Sequence, residues 1–430
     1  MSQDGAGRRR RVSRAKLQER RLQAAAAVDV ATSYDVVVVG GGASGLVAAI
    51  CAGEKGANVL LLESSPECGR PILATGNGRC NFSNVGLAPK YYNDPAFVQA
   101  VFGDDPLGDI LAFFRQCNMR WCLEEERLYP LSRRATSVRN VLLRRAASAG
   151  VTIACARSVM GAARTDRGFS IAYREEFAGG AERAVQARGL VISTGGTQRA
   201  HDFDVAGSLG LESNPAQPVL CPVGCEPNPI LELDGRRLHV RAQLTHTAFP
   251  VWSERGEVLL RSYGLSGIVV FNMSRQVVPG DLVELDLLPD LTMSELRQMV
   301  DPFAHGSFEV GCLDGVLDPD IASVLEGLAR SRWTLEDAGR DKPASDSEAL
   351  MALAKSYPLR ATGTTGHEQA QVLRGGLRTN QFSNKTLECT SVPGLFATGE
   401  ALDVDGECGG FNLSWAWKSG MVAGAAAATR

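Results

Sequence analysis

The pattern of hydrophobic and polar positions begins with a predicted βαβ unit. Residues 34–39 form a largely apolar, β-branched run, which is typical of a strand buried on both faces of a parallel sheet. An alanine-rich segment extending to about Lys55 predicts a helix, and residues 58–62 predict a second buried strand. This order of elements is typical of a parallel α/β domain.

The pattern changes in the middle of the chain, between about residues 213 and 366, where short alternating strands are separated by Pro and Gly turns. The clearest segments there are strands at 238–245 and 282–288, helices at 292–300 and 319–330, and an Asp/Pro/Ser-rich break at 341–347. Because α/β patterning returns after this region, the sequence predicts a β-rich domain inserted into an α/β domain.

A glycine-rich turn stands between the first strand and the first helix. Gly40 permits a tight turn, Gly42 lets the backbone approach a pyrophosphate, and Gly45 allows close packing of helix on strand. Glu63 ends the second strand about twenty residues further on, where a carboxylate accepts hydrogen bonds from a ribose. The unpaired amides at the helix N-terminus favour the phosphate. The sequence therefore predicts a Rossmann-type dinucleotide site.

Charge and composition narrow the class of protein. The chain has 430 residues and a formal net charge of -3, which argues against a nucleic-acid-binding protein with a broad basic surface. The exception is a basic N-terminal arm at residues 1–33, which we expect to be flexible or helical and which lacks the apolar core of a secretory signal. We expect a soluble, cytoplasmic protein with a small-molecule substrate and no membrane segment.

The cysteines and histidines do not predict a metal site. The 11 cysteines are odd in number and scattered, which is typical of reduced thiols in a cytoplasm. The sequence has no pair of CxxC units, and the 5 histidines show no ligand-like spacing. His201 is the one histidine beside a motif, since it follows Gly195 and Gly196, and a solvent-exposed loop position is expected for it.

The C-terminal region supplies a second ligand-binding pattern. A short apolar strand ends at Gly399 and Glu400, Asp403 and Asp405 follow, and residues 409–412 open a helix. The helix dipole and backbone amides there stabilise negative charge on the pyrimidine side of a reduced flavin. This pattern favours FAD over NAD as the resident cofactor.

Four blocks of sequence resemble a known family. They are residues 40–45, 75–84, 263–267 and 399–420. With them, the chain from Tyr34 to Ala426 is similar to the flavoproteins labelled aminoacetone-oxidase-like or NAD(P)/FAD-dependent oxidoreductases, which include a bile-acid-inducible flavoprotein that reduces carbon–carbon double bonds of 3-oxo bile acids.

The resemblance implies an α/β fold class and a discontinuous architecture. A Rossmann-type FAD-binding domain of glutathione-reductase type would comprise residues 34–212 and 367–430. A β-barrel-like substrate domain would be inserted at 213–366, with a small helical subdomain at about 291–345. A substrate pocket is favoured where such domains meet.

The resemblance also implies a set of FAD contacts along the whole cofactor. The residues are Gly40, Gly42, Ala43, Ser44 and Gly45 at the pyrophosphate; Glu63 at the adenosine ribose; Val159, in a strand pattern at 151–159, at adenine; Gly76, Asn77, Arg79, Cys80 and Asn81 beside the isoalloxazine ring; Gly399, Glu400 and Asp403 at the ribityl chain and phosphate; and Gly410, Phe411 and Asn412 at the pyrimidine edge, with Ser64, Arg70 and Gly195 completing the set. Two departures from the family are Pro71, where a lysine is common, and a shorter loop through residues 201–204.

The leading functional hypothesis is reduction of an activated carbon–carbon double bond, such as an enone of a steroid or 3-oxo bile acid. Flavin N5 would deliver hydride, NADH or NADPH would be a transient electron donor, and a protein acid would supply the proton. Tyr263 is the first candidate for that acid and Tyr129 the second, although ordinary packing is the favoured interpretation of either tyrosine.

Two alternatives remain open at this point. One is a flavin oxidase that acts on a small amine or another metabolite and returns electrons to oxygen. The other, from a different class, is a flavin-binding sensor or nucleic-acid-associated protein that uses the arginine-rich arm as its contact. Neither the substrate nor the oligomeric state follows from the sequence.

Overall fold

The computed structural model describes residues 14–177, 179–196, 205–301, 308–331, 343–366 and 368–430. The first 13 residues of the arm and His201, with the loop around it, lie outside these ranges. The chain divides into two compact units: unit 1 runs up to Ala216 and resumes from Arg374 to Arg430, and unit 2 is Gln217–Leu373.

The first part of unit 1 holds helices and strands in alternation. Its helices are α1 (Arg14–Ala26), α2 (Ala43–Glu54), α3 (Arg70–Ala74), α4 (Pro95–Phe102), α5 (Pro106–Gln116) and α6 (Ala135–Ser148). Its strands are β1 (Ser33–Val39), β2 (Val59–Leu62), β3 (Ser83–Asn84), β4 (Trp121–Glu124), β5 (Arg127–Pro130), β6 (Thr152–Ala154), β7 (Arg157–Thr165), β8 (Gly168–Glu175) and β9 (Glu182–Ile192).

The remaining elements belong to unit 2 and to the return of the chain. β10 (Ser213–Val219) leads into unit 2, which contains β11 (Val223–Cys225), β12 (Arg237–His246), β13 (Phe249–Arg261), β14 (Gly264–Ser266), α7 (Ile268–Met273), β15 (Leu282–Asp286), α8 (Met293–Val300), α9 (Pro319–Arg330), α10 (Asp346–Lys355) and β16 (Tyr357–Thr364). β17 (Val372–Leu377) leads back, and β18 (Leu395–Ala397) and α11 (Phe411–Ala427) end the chain.

A mixed sheet forms the centre of unit 1. Among the described residues its order is β6, β2, β1, β9, β8, β7, with β18 also paired to β9. β6, β2, β1, β9 and β18 run parallel to one another, whereas β8 pairs antiparallel with both β9 and β7. The apolar runs of β1 and β2 are buried, as expected of parallel strands covered on both faces. The predicted Rossmann-type α/β fold class is confirmed.

Small residues bring α2 and α11 close together against this sheet. A Cβ atom placed on Gly420 would lie 2.6 Å from the carbonyl oxygen of Ser44, and one on Gly424 would lie 2.2 Å from that of Ala48. Both distances are too short for a real side chain. The helices therefore touch through their backbones, which holds the N-terminal turn of α2 against the C-terminal helix.

Unit 2 is a small β-barrel with helices on one shared core. In the described chain the closed barrel has the order β11, β14, β13, β12, β15, β16. Leu244 and Leu285 from the barrel belong to the same buried cluster as Leu325 of α9 and Leu350 of α10. Alternation along β12, where every second residue is buried, is the physical reason that its sequence pattern predicts a strand.

Two local expectations need correction. The strand pattern at 151–159 predicts one strand, but the segment forms β6 and β7, because Ala156 between them takes a positive φ of 53° and turns the chain. The predicted break at 341–347 overlaps the start of α10, where the Ser345 hydroxyl accepts a hydrogen bond from the Glu348 amide at 3.2 Å. The polar residues there cap a helix.

Within the described part of the basic arm, residues 14–26 form the helix α1, whose end is attached to the rest of unit 1. Ala25 is buried, and the buried Arg157 guanidinium donates to the carbonyl oxygens of Ala25 at 3.1 Å and Val28 at 2.9 Å. Arg21 also forms an ion pair with Glu67. No helix within the described ranges is long and apolar enough to cross a membrane.

Candidate functional site

The glycine turn after β1 has the geometry of a phosphate-binding loop. Gly40 has a φ of +104°, and a Cβ atom there would lie 2.3 Å from the carbonyl oxygen of Ser193. A Cβ atom on Gly45 would lie 1.9 Å from the Gly40 carbonyl oxygen, so both positions require glycine. At Gly42, by contrast, no described atom lies within 4 Å of that position. The turn is thus tight on its inner side and open at Gly42.

The N-terminus of α2 is open to an anion. Gly42 is its N-cap, and no side chain caps the helix there. The first intrahelical bond runs from the Leu46 amide to the Gly42 carbonyl oxygen at 3.1 Å. The amides of Ala43, Ser44 and Gly45 therefore lie in the first turn, where a helix lacks internal acceptors and its dipole favours negative charge. This turn suits a pyrophosphate group.

Glu63 holds the turn in place from the end of β2. Its Oε2 accepts a hydrogen bond from the Gly41 amide at 2.7 Å, and its Oε1 accepts one from the Ser65 amide at 2.7 Å. The predicted neighbours Ser64 and Arg70 are exposed, and Arg70 begins α3. The role of Glu63 toward a ribose stays a prediction, since its visible role is to fix the glycine turn.

The C-terminal motif meets the glycine turn at Gly399. A Cβ atom on Gly399, which has a φ of +60°, would lie 2.6 Å from the Ser44 hydroxyl oxygen. The Gly399 amide donates to the Ser419 hydroxyl at 2.9 Å, and its carbonyl accepts from the Trp415 indole at 3.0 Å. The two ends of the sequence therefore build one site.

Gly195 is a further open position, with a φ of +79° and no described atom within 4 Å of where a Cβ would lie.

Glu400 is a half-buried carboxyl group beside this junction. Desolvation is the main cause that raises its pKa, a hydrogen bond from the Gly196 amide at 3.4 Å opposes the rise, and the nearby Asp405 adds to it, so that the pKa is about 7. Asp405 itself is fully buried and pairs with Arg374 through two bonds of 2.7 and 3.0 Å. Glu400 can therefore change its protonation near neutral pH.

The Asp403 carboxylate accepts hydrogen bonds from other residues of the protein. Its Oδ2 accepts from Asn214 at 2.7 Å, and its Oδ1 accepts from the Gly375 amide at 3.0 Å and from Asn93 at 3.3 Å. These bonds join the C-terminal motif to β10 and β17. The predicted contact of Asp403 with a ribityl chain stays a prediction.

The segment after α3 is strained, as functional loops often are. Gly76, Asn77 and Cys80 have positive φ values of 54°, 53° and 57°, and two of the three are not glycine. Cys80 is fully buried, and burial raises the pKa of its thiol to about 12. Cys80 is therefore a neutral packing group that holds the strained turn in place. Arg79 forms an ion pair with Glu124 and lies over the ring of Tyr129, 4.4 Å from its centroid.

Asn81 carries the clearest indication of a ligand position. Its Oδ1 atom is buried and has no hydrogen-bond partner among the described residues. A Cβ atom on Gly410, at the N-terminus of α11, would lie 2.9 Å from that oxygen. A buried acceptor without a donor costs stability. Asn81 and the uncapped end of α11 thus form a polar position that a ligand with an N–H or O–H group would satisfy.

Aromatic side chains surround the start of α11. Phe411 stacks on Tyr91 with ring centroids 4.4 Å apart, and the Tyr92 hydroxyl donates to the Phe411 carbonyl oxygen at 2.7 Å. The Asn412 side chain exchanges two hydrogen bonds of 2.8 Å with the backbone of Gly406. Asn412 therefore supports the loop before the helix, and its predicted contact with a flavin is not tested by these bonds.

The two tyrosines predicted as proton donors lie in different units. Tyr129 is buried in β5 of unit 1, and its Cε1 atom would be 3.9 Å from a Cβ atom on Gly76, so it borders the strained segment. Tyr263 lies in unit 2, is 37% exposed, and has the Arg261 guanidinium 5.8 Å from its ring centroid. Val159, the predicted adenine contact, lies in β7 and pairs with Tyr173.

Sequence reasoning missed several residues that assemble the site. They are the hydroxyl pairs Ser193 with Thr398 at 2.7 Å and Ser83 with Ser414 at 2.9 Å, the Arg374–Asp405 ion pair, and Tyr92. Each joins segments more than 30 residues apart, and no local pattern indicates such a contact. Among the described residues, no group of His, Cys, Asp and Glu could hold a metal ion.

Residues that could hold FAD are thus present along one continuous region of unit 1. The open N-terminus of α2 suits the pyrophosphate, and the unpartnered Asn81 oxygen beside Gly410 suits a polar edge of the ring. The donor set consists of backbone amides and neutral polar groups, which is typical of a dinucleotide site.

The chain is similar to known proteins along almost its whole length. Residues 34–426 match the family model described as the HI0933-like protein Rossmann domain. The chain is 33% identical to the 3-dehydro-bile acid delta(4,6)-reductase of Clostridium scindens over 91% of this chain and 98% of that protein. It is 28% identical to the ribosomal RNA dihydrouridine synthase of Escherichia coli over 90% of this chain and 96% of that one.

Among solved structures, the chain matches the 3-ketosteroid-delta4-(5alpha)-dehydrogenase of Rhodococcus jostii RHA1. It is 17% identical, with a TM-score of 0.48, and the match covers 94% of this chain and 98% of that chain. The family match and the 33% relative, together with the glycine turn at the N-terminus of α2, lead to one conclusion. The chain belongs to the HI0933-like Rossmann family and is a flavin oxidoreductase.

Proposed function

We propose that this protein is an FAD-dependent reductase of a carbon–carbon double bond conjugated to a carbonyl group, with NADH or NADPH as the electron donor. The observation that carries the proposal is the full-length similarity to a bile acid delta(4,6)-reductase, which covers 98% of that relative. A 3-oxo steroid enone is the leading substrate class.

The two relatives are named for reactions of the same kind. A delta(4,6)-reductase of a 3-dehydro bile acid removes double bonds conjugated to a 3-oxo group, and dihydrouridine is uridine with its C5–C6 double bond reduced beside the C4 carbonyl. Both substrates are polarised alkenes that accept hydride at the carbon β to a carbonyl. Reduction of such an alkene is therefore a better-supported reaction class than oxidation of an amine.

The geometry of unit 1 supports two positions in the proposed FAD site. The α2 amides after Gly42 would bind the pyrophosphate, and the Asn81 oxygen would accept a hydrogen bond from the ring. Bound FAD would supply hydride transfer to the β-carbon of the substrate. The protein must then orient the ring, exclude water and deliver a proton to the neighbouring carbon.

Tyr129 and Tyr263 are the candidates for the proton donor. Tyr129 is buried beside the strained segment that contains Gly76, and it is held by Arg79 above its ring. A buried phenol in a fixed position can transfer a proton without competing water. Tyr263 is more exposed and lies in unit 2, where a substrate domain is expected.

The proposal is tested by anaerobic spectroscopy of the purified protein. NADH or NADPH should bleach the visible flavin absorbance, and an enone from a panel that includes 3-oxo bile acids should restore it. Bleaching reversed only by air would favour the oxidase. Absence of flavin absorbance after FAD has been added would reject the proposal.

Variants separate the two tyrosines. We expect Tyr129→Phe or Tyr263→Phe to slow recovery by the enone by about 100-fold, since general acid catalysis contributes about that much. Bleaching by NAD(P)H should be unchanged in the affected variant. Tyr34→Phe is the control, because the Tyr34 hydroxyl accepts a hydrogen bond from the Ala31 amide in the N-terminal segment and lies outside the proposed site. Equal recovery rates in all three variants would remove both tyrosines from the mechanism.

A second candidate substrate is a uracil base in ribosomal RNA. The observation that favours it is the basic arm, where Arg8 to Arg11, Arg14, Lys16, Arg20 and Arg21 lie in one short stretch. Such charge binds phosphates and releases counterions. Deletion of residues 1–13, which leaves the attached end of α1 in place, should weaken RNA binding and reduce its salt dependence. Reduction of a free enone should be unaffected.

A further inference from the structure

Two cysteines that are 87 positions apart in the sequence meet beside the glycine turn. The sulfurs of Cys68 and Cys155 lie 3.6 Å apart, within hydrogen-bonding distance for thiols. Cys68 lies just before α3 and is 3% exposed, whereas Cys155, between β6 and β7, is half-buried. All 11 cysteines of the protein are described, and all are free thiols.

Backbone hydrogen bonds hold together the two segments that carry these thiols. The Glu63 amide donates to the Ala154 carbonyl oxygen at 3.0 Å, and the Arg157 amide donates back to the Glu63 carbonyl oxygen at 2.9 Å. The Ala156 amide donates to the Ser65 carbonyl oxygen at 2.9 Å. These three bonds hold the segment before Cys68 against the segment that carries Cys155, so the sulfurs face each other because of the fold.

We propose that Cys68 and Cys155 are a reversible dithiol–disulfide couple, oxidised by hydrogen peroxide, whose disulfide weakens FAD binding at the glycine turn. A disulfide has an S–S distance of about 2.05 Å, so its formation requires the sulfurs to approach by only about 1.5 Å. The effect on FAD rests on the proposed cofactor site, whereas formation of the disulfide does not.

The half-buried thiol is the one that a small oxidant reaches. Either thiol can donate the hydrogen bond between the two sulfurs; donation from Cys68 lowers the pKa of Cys155, and this bond together with burial raises the pKa of Cys68. Cys155 is therefore the better nucleophile. The buried Cys68 is placed to act as the resolving thiol.

The oxidation balances in two steps. The Cys155 sulfur attacks a peroxide oxygen, the O–O bond breaks, and the leaving hydroxide takes the thiol proton to become water. The Cys68 sulfur then attacks the resulting sulfenic sulfur, the S–O bond breaks, and a second water leaves with the Cys68 proton. Two thiols lose two electrons and two protons, and one peroxide becomes two waters.

The link to the cofactor site passes through Gly41. The Cys68 sulfur would lie 2.4 Å from a Cβ atom on Gly41, so it packs directly on the backbone of the turn. The Gly41 carbonyl oxygen accepts from the Gly69 amide at 2.7 Å, and the Gly41 amide donates to Glu63 at 2.7 Å. Movement of Cys68 toward Cys155 therefore displaces the groups that fix the turn.

The test uses the flavin-bound protein. Its thiols are first reduced, and the protein is then treated with hydrogen peroxide. After alkylation of the remaining thiols and proteolysis, mass spectrometry should find a peptide that links Cys68 to Cys155. The fluorescence of released FAD should show dissociation about tenfold faster than from the reduced protein, with recovery after dithiothreitol. Both effects should be absent in Cys155→Ser and Cys68→Ser and retained in Cys312→Ser, since Cys312 is a half-buried thiol of unit 2.

Each outcome decides a part of the proposal. Absence of the linked peptide from peroxide-treated wild-type protein would overturn it, and a linked peptide with unchanged FAD release would overturn the coupling to the cofactor. If Cys68→Ser fails to fold, Cys155→Ser makes the same comparison. A protein that binds no FAD in either redox state would overturn the proposed function and the coupling, while the linked peptide would still establish the thiol couple.

Discussion

At the scale of single residues, Glu400 shows how position determines chemistry. An exposed glutamate is ionised at neutral pH, but burial raises the pKa of Glu400 to about 7, and Asp405 adds to this effect. The group can then change its protonation near neutral pH. Its charge is sensitive to anything that binds beside Gly399.

We expect the substitution Glu400→Gln to change how stability depends on pH. Between the unfolded pKa of 4.5 and the folded value of about 7, the folded state binds more protons than the unfolded state, so the free energy of unfolding falls as pH rises. Glutamine cannot ionise. Between pH 5 and pH 8, the free energy of unfolding of Glu400→Gln should therefore increase by about 2 kcal/mol relative to that of wild type. Thermal unfolding of the two flavin-free proteins measures this change.

The control for this prediction is Glu232→Gln, which alters an exposed carboxyl group. Its stability difference from wild type should not change over the same pH range. A constant difference for Glu400→Gln as well would show that Glu400 is ionised throughout.

Asn81 gives a second prediction at this scale. Its buried Oδ1 atom has no partner among the described residues, so the flavin-free protein carries an unsatisfied acceptor. We expect Asn81→Ala to weaken FAD binding by about tenfold, because a bound donor is lost. The flavin-free variant should unfold at a temperature no lower than wild type. Fluorescence titration with FAD and thermal unfolding measure the two effects.

The exposed Asn140 is the matched control, and Asn140→Ala should leave FAD affinity unchanged. Equal affinity of Asn81→Ala and wild type would show that the cofactor does not use this oxygen.

At the scale of elements, the contact between α2 and α11 positions the site. The two helices touch at glycine residues, so the N-terminal turn of α2 and the start of α11 are held in fixed positions relative to each other. The sequence predicts both helices, but nothing in it indicates that Gly420 and Gly424 are contact points. Spacing of small residues is also common in helices that do not touch.

We expect Gly424→Ala to destabilise unit 1 by about 1–3 kcal/mol, since its Cβ atom would lie 2.2 Å from the Ala48 carbonyl oxygen and the helices must separate. The control is Gly327→Ala in α9, an exposed helical glycine where a Cβ atom would have no described atom within 4 Å. That change should stabilise the protein by about 0.5–1 kcal/mol through helix propensity. Denaturant unfolding of both variants measures the contrast, and a stabilised Gly424→Ala would contradict the observed packing.

At the scale of the whole molecule, the described residues form two separate buried cores. One core lies under the mixed sheet of unit 1, and the other joins the barrel and helices of unit 2. Most of the proposed FAD contacts come from three stretches of unit 1, near residues 40–46, 76–81 and 399–414. Binding should therefore stabilise these stretches together although they are distant in sequence.

Amide hydrogen exchange tests this pattern. On addition of FAD, we expect slower exchange in residues 40–46, 76–81 and 410–414, and unchanged exchange in the barrel strands β12 and β15. The fully buried Leu244 and Leu285 provide internal references. Equal slowing in the barrel strands would place the principal cofactor contacts elsewhere.

Sequence alone determined the fold class and the position of the glycine turn. Both depend on local chemistry: apolar β-branched runs form buried parallel strands, and glycine at 40 and 45 permits a turn that other residues would obstruct. Alternation likewise located β12 and β15 within one or two residues of their observed ends. Domain boundaries and individual cofactor contacts stay predictions.

Tertiary structure decided what meets at the site. The approach of Asn81 to Gly410, the pairing of Arg374 with Asp405 and the contact of Cys68 with Cys155 join distant segments. Burial then sets the pKa of Glu400 and leaves the Asn81 oxygen without a donor among the described residues. A local pattern carries the conformational preference of each segment, but proximity and desolvation exist only after the chain has folded.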